Sequence, residues 1–353
     1  MDNSSSRETN STATLSGQTL AVVAMTVAYS IIFVVAFLGN ALVIYVVASR
    51  SYMKSTFNFL IVNMAIADLL VSVLIMPIQV KFLYAGQKWI NGGFGVVSCK
   101  WVNFSGTLSI AASIIALVAI SLDRYFAIIH PFKHLPVIRN TKTITSLIWS
   151  FSALFMFPYL LVFDVAKAND GQGWDCRMIW DIISTSPTKQ FEFARSFFMF
   201  TLIGLYAVPL VLIASLYIRI GKKLSSRKIP GHSTAKSIQK AQTSKRKVLR
   251  MLTIVVMVFA LCWLPAHLMH LIIYYNTPLF WRLLATAPYV ENVAFFLCHA
   301  NSAINPCLYV TLNEKYKREF FKLLRFCFPG LKKRGKRMTM TTMAISEIHH
   351  DDF

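Results

Sequence analysis

Asp68, in the run "NMAIADLL", is a carboxylate set among apolar residues, with no basic residue within a helical turn of it. A carboxylate in such surroundings either holds hydrogen bonds or binds a cation, and hard cations prefer oxygen donors. Asn40, Ser113, Asn301 and Asn305 lie in other apolar runs and are the candidates to complete an oxygen cage with Asp68. The alternative is a protonated or water-bridged Asp68 that ties helices together, and spacing alone leaves both readings open. Asp123 and Arg124 form a second constellation, closing the uncharged run from Trp101 to Leu122 with an acid and a base side by side. Enzyme chemistry has no footing here. The chain holds no His-Glu-x-x-His zinc spacing, no Gly-rich phosphate loop and no nucleophile elbow.

The elements that position these groups follow from composition. Of the 353 residues 56% are hydrophobic and 14% charged, against roughly 25% charged in soluble chains. An α-helix crosses a hydrocarbon core with about 20 mostly apolar residues. Seven such runs are expected at 20–48, 56–84, 95–128, 143–163, 193–219, 248–275 and 286–311. They lack the alternation of barrel strands, so the fold class is an all-α membrane protein, a seven-transmembrane helix bundle. A charged residue at bilayer depth costs at least a few kcal/mol, which marks Asp68 as functional by default. Pro77, Pro158, Pro209, Pro265 and Pro306 fall inside these runs, where each removes a backbone hydrogen bond and bends the helix.

The net charge of +21 is explained by topology without a nucleic-acid partner. Of the 36 Lys and Arg, 26 lie in Arg50 to Lys54, Lys133 to Lys142, Arg219 to Arg250 and the C-terminal tail, every second connection plus the tail. The positive-inside rule makes those segments cytoplasmic and the N-terminus extracellular. The first eighteen residues show no signal-peptide pattern, so the first helix is expected to act as an uncleaved anchor. Asn3 and Asn10 then fit glycosylation acceptors on the outer side, while Asn103 matches the pattern by chance within a helix. Cys99 and Cys176 fall on the oxidising side, where a bridge is expected, the alternative being two unpaired buried thiols. Cys262, Cys298 and Cys307 read as small packing residues.

Taken together, the residues resemble a known family. "GNALV" around Asn40, "MAIAD" ending at Asp68, Cys99 with Cys176, "DRY" at 123–125, Trp149, Pro209 with Tyr217, "CWLP" at 262–265 and "NPCLY" at 305–309 occur in order, one group per expected helix. The chain resembles the rhodopsin-like (class A) G-protein-coupled receptors over residues 20–328. The resemblance implies a sodium site at Asp68, Ser113, Asn301 and Asn305. It implies a switch of Ile114, Pro209 and Phe259 with Trp263 as its toggle. G-protein coupling and activation would fall to Asp123, Arg124, Tyr125, Pro131, Phe132, Tyr217, Asn305, Pro306 and Tyr309. Lys245 stands where some members place an acid that pairs with the Arg of the DRY motif, so that lock is absent.

The ligand class follows by exclusion within the resemblance. Gly106 occupies the position of the carboxylate that amine receptors use, and His299 that of the lysine which binds retinal in opsins. What remains looks most like the neuropeptide-receptor branch. Candidate ligand-binding residues are Gln79, Phe82, Gly106, Asp175, His267, His270, Glu291 and His299. The loop from Phe163 to Glu192 carries five acids against three bases, and with Glu291 this favours a basic peptide. The alternatives are a family member with a small non-peptide ligand, or a transporter or channel, although no two halves of the chain match. Partners implied are a neuropeptide, a heterotrimeric G protein, arrestin, receptor kinases and membrane lipids.

The expected organisation is an extracellular tail (1–19), the receptor domain (20–311), a membrane-surface amphipathic helix (312–328) and a cytoplasmic tail (329–353). "NEKYKREFFKLLRFCF" interleaves aromatic and basic residues at helical spacing, and Cys327 at its end is a palmitoylation candidate.

Overall fold

A computed structural model of the chain describes residues 5–131, 140–226 and 235–327. Among them, seven helices are long and apolar enough to cross a membrane: Gln18–Ser49, Thr56–Ala85, Gly92–Ile129, Thr141–Val162, Pro187–Ser225, Lys245–Tyr275 and Val290–Leu312. In chain order these are the first to seventh spans. The chain divides into two compact units, Met1–Cys307 and Leu308–Phe353, with the boundary inside the seventh span.

Several expected boundaries move. The fifth span starts at Pro187 rather than 193, because Pro is well suited to the first helical turn, and the fifth and sixth helices continue to Ser226 and from Ala235. The expected connection from Ile220 to Lys247 is therefore largely helical. Lys, Arg, Gln and Ala are good helix formers, and hydropathy finds only the part of a helix that suits lipid. The seventh span starts at Val290 rather than 286, since Thr277–Thr286 forms a separate helix. Pro288 follows Ala287, whose φ of −141° and ψ of 76° lie outside the helical region, as the residue before a proline prefers.

The long connection after the fourth span adds a small sheet to the seven-helix bundle. Phe163–Lys167 (β2) and Trp174–Met178 (β3) form an antiparallel hairpin, and Lys88–Trp89 (β1) pairs with β3 to give the sheet order β1-β3-β2. The hairpin turn uses Gly171 and Gly173 at φ of 72° and 89°, a region that side chains disfavour. Cys176, opposite Val165 in the hairpin, forms a disulfide with Cys99 of the third span, fastening the sheet over that helix. The sheet thereby marks one end of the bundle, the sheet end.

Proline acts through two different devices. Ahead of Pro77 and Pro209 the second and fifth spans widen into π-helical turns at Val71–Ile75 and Ile203–Ala207. Pro158 separates two helical segments, whereas Pro265 and Pro306 lie inside continuous helices. Packing is close at several glycines, Gly39 and Gly106 among them. A Cβ on Gly39 would lie 2.7 Å from Pro306 Cγ, and one on Gly106 would collide with the Ile75 side chain. Trp149 Nε1 donates to Asn63 Oδ1 at 3.0 Å and Asn63 Nδ2 donates to Thr145 Oγ1 at 3.0 Å, joining the second and fourth spans.

Candidate functional site

The second, third, sixth and seventh spans meet around Asp68, which is 2% exposed. Asn305 Nδ2 donates to Asp68 Oδ2 at 2.9 Å, and Ser302 lines the same cavity as this carboxylate. A cavity of about 10 Å³, counted as space for the centres of water-sized particles, is lined by Asp68, Ser109, Ser113, Trp263, His299, Asn301 and Ser302 among others. That is room for one water or one small ion. Ser113 Oγ and Asn301 Oδ1 are buried and make no hydrogen bond among the described residues. A carboxylate, two unpartnered oxygens and a small cavity fit a hard cation of sodium's kind. Asn40 is not among the residues that line the cavity; its amide nitrogen donates to the carbonyls of Ala36 and Ser302, both at 2.9 Å, and its Oδ1 is buried with no hydrogen bond among the described residues.

His299 and Gly106, both expected to line the ligand site, have these surroundings. His299 lines the Asp68 cavity and its Nδ1 shares a 3.2 Å hydrogen bond with Tyr29 Oη. Gly106 is the point where the third span touches Ile75 of the second.

From the sheet end towards this cavity runs a column of rings. Phe191 packs on Tyr274 (5.6 Å between centroids), Tyr274 on Phe198 (5.4 Å), and Phe198 on His270 (5.2 Å). His267 lies 4.5 Å from Tyr206 and 6.0 Å from Trp263, which in turn lies 6.1 Å from Phe259. Ile114, Pro209 and Phe259 are all buried. Trp263 Nε1 has no acceptor among the described residues and its ring lines the cavity. The structure thus brings His267, His270, Trp263 and Phe259 into one stack, with Glu291 one helical turn from Phe295, whose ring meets His270 at 5.6 Å.

The sheet end carries fewer free acids than composition implied. Asp164 pairs with Lys100 at 3.6 Å, Asp170 with Lys88 at 3.4 Å, and Asp181 accepts from Gln190 at 2.6 Å. The Gln172 backbone N–H, with Lys88 beside it, holds Asp170 below the usual carboxylate range. In the sequence these acids look free because most of their partners are distant along the chain. Asp175 and Glu291 make no ion pair among the described residues, and both are half-buried. Gln79 is half-buried, and Phe82 lies beneath Lys81, whose ammonium is 5.0 Å from the ring centroid.

At the opposite end, Arg124 Nε donates to Asp123 Oδ2 at 2.9 Å and its Nη2 meets the same oxygen. The guanidinium carbon also sits 4.4 Å from the centroid of the Phe57 ring. Three residues earlier, Ser121 Oγ donates to Tyr217 Oη at 2.8 Å, which places Tyr217 inside the bundle. Tyr125 packs against Phe126 and His130, and Pro131 is exposed. In the second unit, Tyr309 meets Tyr316 at 6.0 Å, and the helix Glu314–Cys327 holds Glu319 paired with Lys322 at 2.7 Å. Asn3 and Phe132 lie outside the described residues, as do the side chains of Asn10 and Cys327.

Ser302, Tyr206, Phe198, Ser121, Asn63 and Phe57 do not stand out in the sequence. Ser302 and Ser121 carry a weak signal, each three residues before a motif residue on the same helix.

The family profile "7 transmembrane receptor (rhodopsin family)" matches residues 39–309. The Tachykinin-like peptides receptor 86C of Drosophila melanogaster is 30% identical over 309 residues, which cover 86% of this chain and 59% of that receptor. The QRFP-like peptide receptor of Branchiostoma floridae is 33% identical, covering 84% and 76% of the two chains. The Substance-P receptor of Aquarana catesbeiana is 31% identical, covering 91% and 77%. The chain belongs to the rhodopsin family of seven-transmembrane receptors, a family that is not enzymatic, and so is a multi-pass membrane protein. Within that family these three relatives are receptors named for peptides.

Proposed function

We propose that the chain is a plasma-membrane receptor whose sheet end faces outside, binds a short neuropeptide, and signals to a heterotrimeric G protein at the Arg124 end. The observation that carries this reading is the ring column from Phe191 to Phe259. It links the sheet end with Trp263, which lines the Asp68 cavity. A ligand that packs better on one arrangement of these rings shifts the population towards it, by no more than its differential affinity. The relatives named for tachykinin-like and QRFP-like peptides support a peptide over another ligand.

His267, His270, Gln79, Phe82, Asp175 and Glu291 would contact the peptide, with the two acids favouring basic groups. Asp68, Ser113 and Asn301, joined by Ser302, would hold a sodium ion, which supplies a positive charge that braces the third and seventh spans. Asp123, Arg124, Tyr217 and Tyr309 would act in coupling. The orientation rests on the distribution of Lys and Arg, and it places Asn3 and Asn10 where glycosylation occurs. Cys327 would carry palmitate, and the tail would recruit kinases and arrestin.

Ligand-dependent nucleotide exchange on purified G proteins tests the reading, in membranes holding the native chain or Arg124→Ala. A panel of short basic and amidated peptides should yield an agonist for the native chain. Arg124→Ala should bind that agonist and give no exchange, whereas persistent exchange would overturn the coupling role. Peptide-gated ion flux in the same membranes would favour a channel instead.

A further inference from the structure

The segment Ser55-Thr56-Phe57-Asn58 opens the second span and is unusually constrained. Ser55 Oγ accepts from the Asn58 backbone N–H at 3.4 Å, a helix cap, and Asn58 Nδ2 donates to the Met53 carbonyl at 2.7 Å. Met53 is fully buried, so the preceding turn is anchored as well. Phe57, on the first helical turn, is thereby held with its ring buried to 8% exposure and with Arg124 above it at 4.4 Å.

An arginine within about 6 Å of an aromatic centroid is attracted by the electron-rich ring face, and guanidinium is weakly hydrated enough to use that contact. Arg124 is 26% exposed at its side chain, so the field of the ring is only partly screened by solvent. Asp123 is its one carboxylate partner among the described residues, and Asp123 is its own chain neighbour. That pair therefore ties Arg124 to nothing outside the third span. Lys245, on the sixth span, offers no acid to do so. Phe57 belongs to a different helix and does tie it.

We propose that Phe57 is a positioning residue for Arg124, its ring face holding the guanidinium against the second span as the interhelical restraint on ligand-free coupling. The inference rests on the reading of Arg124 as the coupling residue. Engagement of a G protein by the guanidinium requires leaving this ring. Weakening the ring's attraction then lowers the cost of leaving, without altering shape or burial.

The test replaces Phe57 in the full-length chain with mono-, di- and trifluorophenylalanine, since each fluorine withdraws electron density from the ring face at nearly constant size. Ligand-free nucleotide exchange is measured in membranes against purified heterotrimers, one from each Gα class, alongside thermal unfolding. The expected result is basal exchange rising in step with fluorine number, to about two- to fivefold at the end of the series, with the unfolding temperature unchanged. Phe57→Trp, with a stronger ring face, should give exchange at or below the native rate. A flat series, or exchange that falls with fluorination, overturns the proposal. Arg124→Ala separates the two readings. If it is silent while the fluorinated series is flat, only the role of Phe57 fails. If it retains exchange, the coupling reading fails and takes the role of Phe57 with it.

Discussion

Asn305 reaches from the seventh span to donate its amide hydrogen to Asp68 Oδ2 of the second at 2.9 Å, joining residues 237 positions apart. The contact occupies one oxygen of a carboxylate whose surroundings also include the Ser302 side chain and a cavity flanked by Ser113 and Asn301. The amide takes one lone pair of Asp68 and leaves the others, and a carboxylate beside unpartnered oxygens is a donor set that suits a hard cation.

The first expectation concerns that cation. In the native chain sodium should weaken agonist affinity by about fivefold or more, within the usual range of coupling between two sites. Asp68→Asn keeps the shape and removes the charge. Competition binding with sodium or with an impermeant organic cation at equal ionic strength should show no sodium effect in the variant. An unchanged sodium response would remove the cage.

Glu291 is half-buried and makes no ion pair among the described residues, on the same face of the seventh span as Phe295. Glu291→Gln should weaken a basic peptide about tenfold, equivalent to roughly 1.4 kcal/mol, and leave a neutral analogue little changed. Equal losses for both peptides would show that the carboxylate acts through packing alone.

Gly39 faces the ring of Pro306, which cannot turn aside as a flexible side chain can. Gly39→Ala should force the first and seventh spans apart and destabilise the chain by about 1–3 kcal/mol, as overpacking does. Thermal unfolding of detergent-solubilised protein would read this as a lowered transition temperature. Gly221, with nothing near its missing Cβ, should tolerate the same change.

Trp149→Phe removes the donor to Asn63 Oδ1 and leaves a buried amide oxygen unpaired, at a cost of about 1–3 kcal/mol. Because Asn63 also donates to Thr145, the effects of Trp149→Phe and Asn63→Leu should add to less than their sum. Strict additivity in unfolding measurements would mean the hydrogen bond contributes nothing.

Much of the fold was legible in order along the chain. Length and apolarity locate a lipid-crossing helix because its backbone hydrogen bonds are all internal to it, so each span could be read without knowing its neighbours. The sheet was not legible. "FDVAK" and "WDCRM" are five residues each, and their pairing depends on a turn with two left-handed glycines and on a third strand far away in sequence. The ends of the fifth and sixth helices at Ser226 and Ala235 were missed for the opposite reason, since their basic residues favour a helix that lipid does not require. Most of the polar cage was legible as well, as lone polar residues in apolar runs, whereas Ser302, which lines the same cavity, carries only a weak signal and the Asn40 amide donates to backbone carbonyls instead. Which polar side chain turns to which partner depends on helix rotation, which a one-dimensional pattern records only to within a face.

By itself the sequence determined the class of this protein: seven spans, their basic connections, the paired cysteines, and motif residues whose order needs no coordinates. Each follows from short-range physics, the cost of charge in lipid and of an unpaired backbone group. Tertiary structure alone decided which groups meet. It paired Asp164 and Asp170 with lysines, set His299 at the Asp68 cavity beside Tyr29, and laid Arg124 over Phe57. Those outcomes depend on distances of a few ångströms between helices far apart in the chain, and contact energies that fall off so steeply are fixed only when the helices pack.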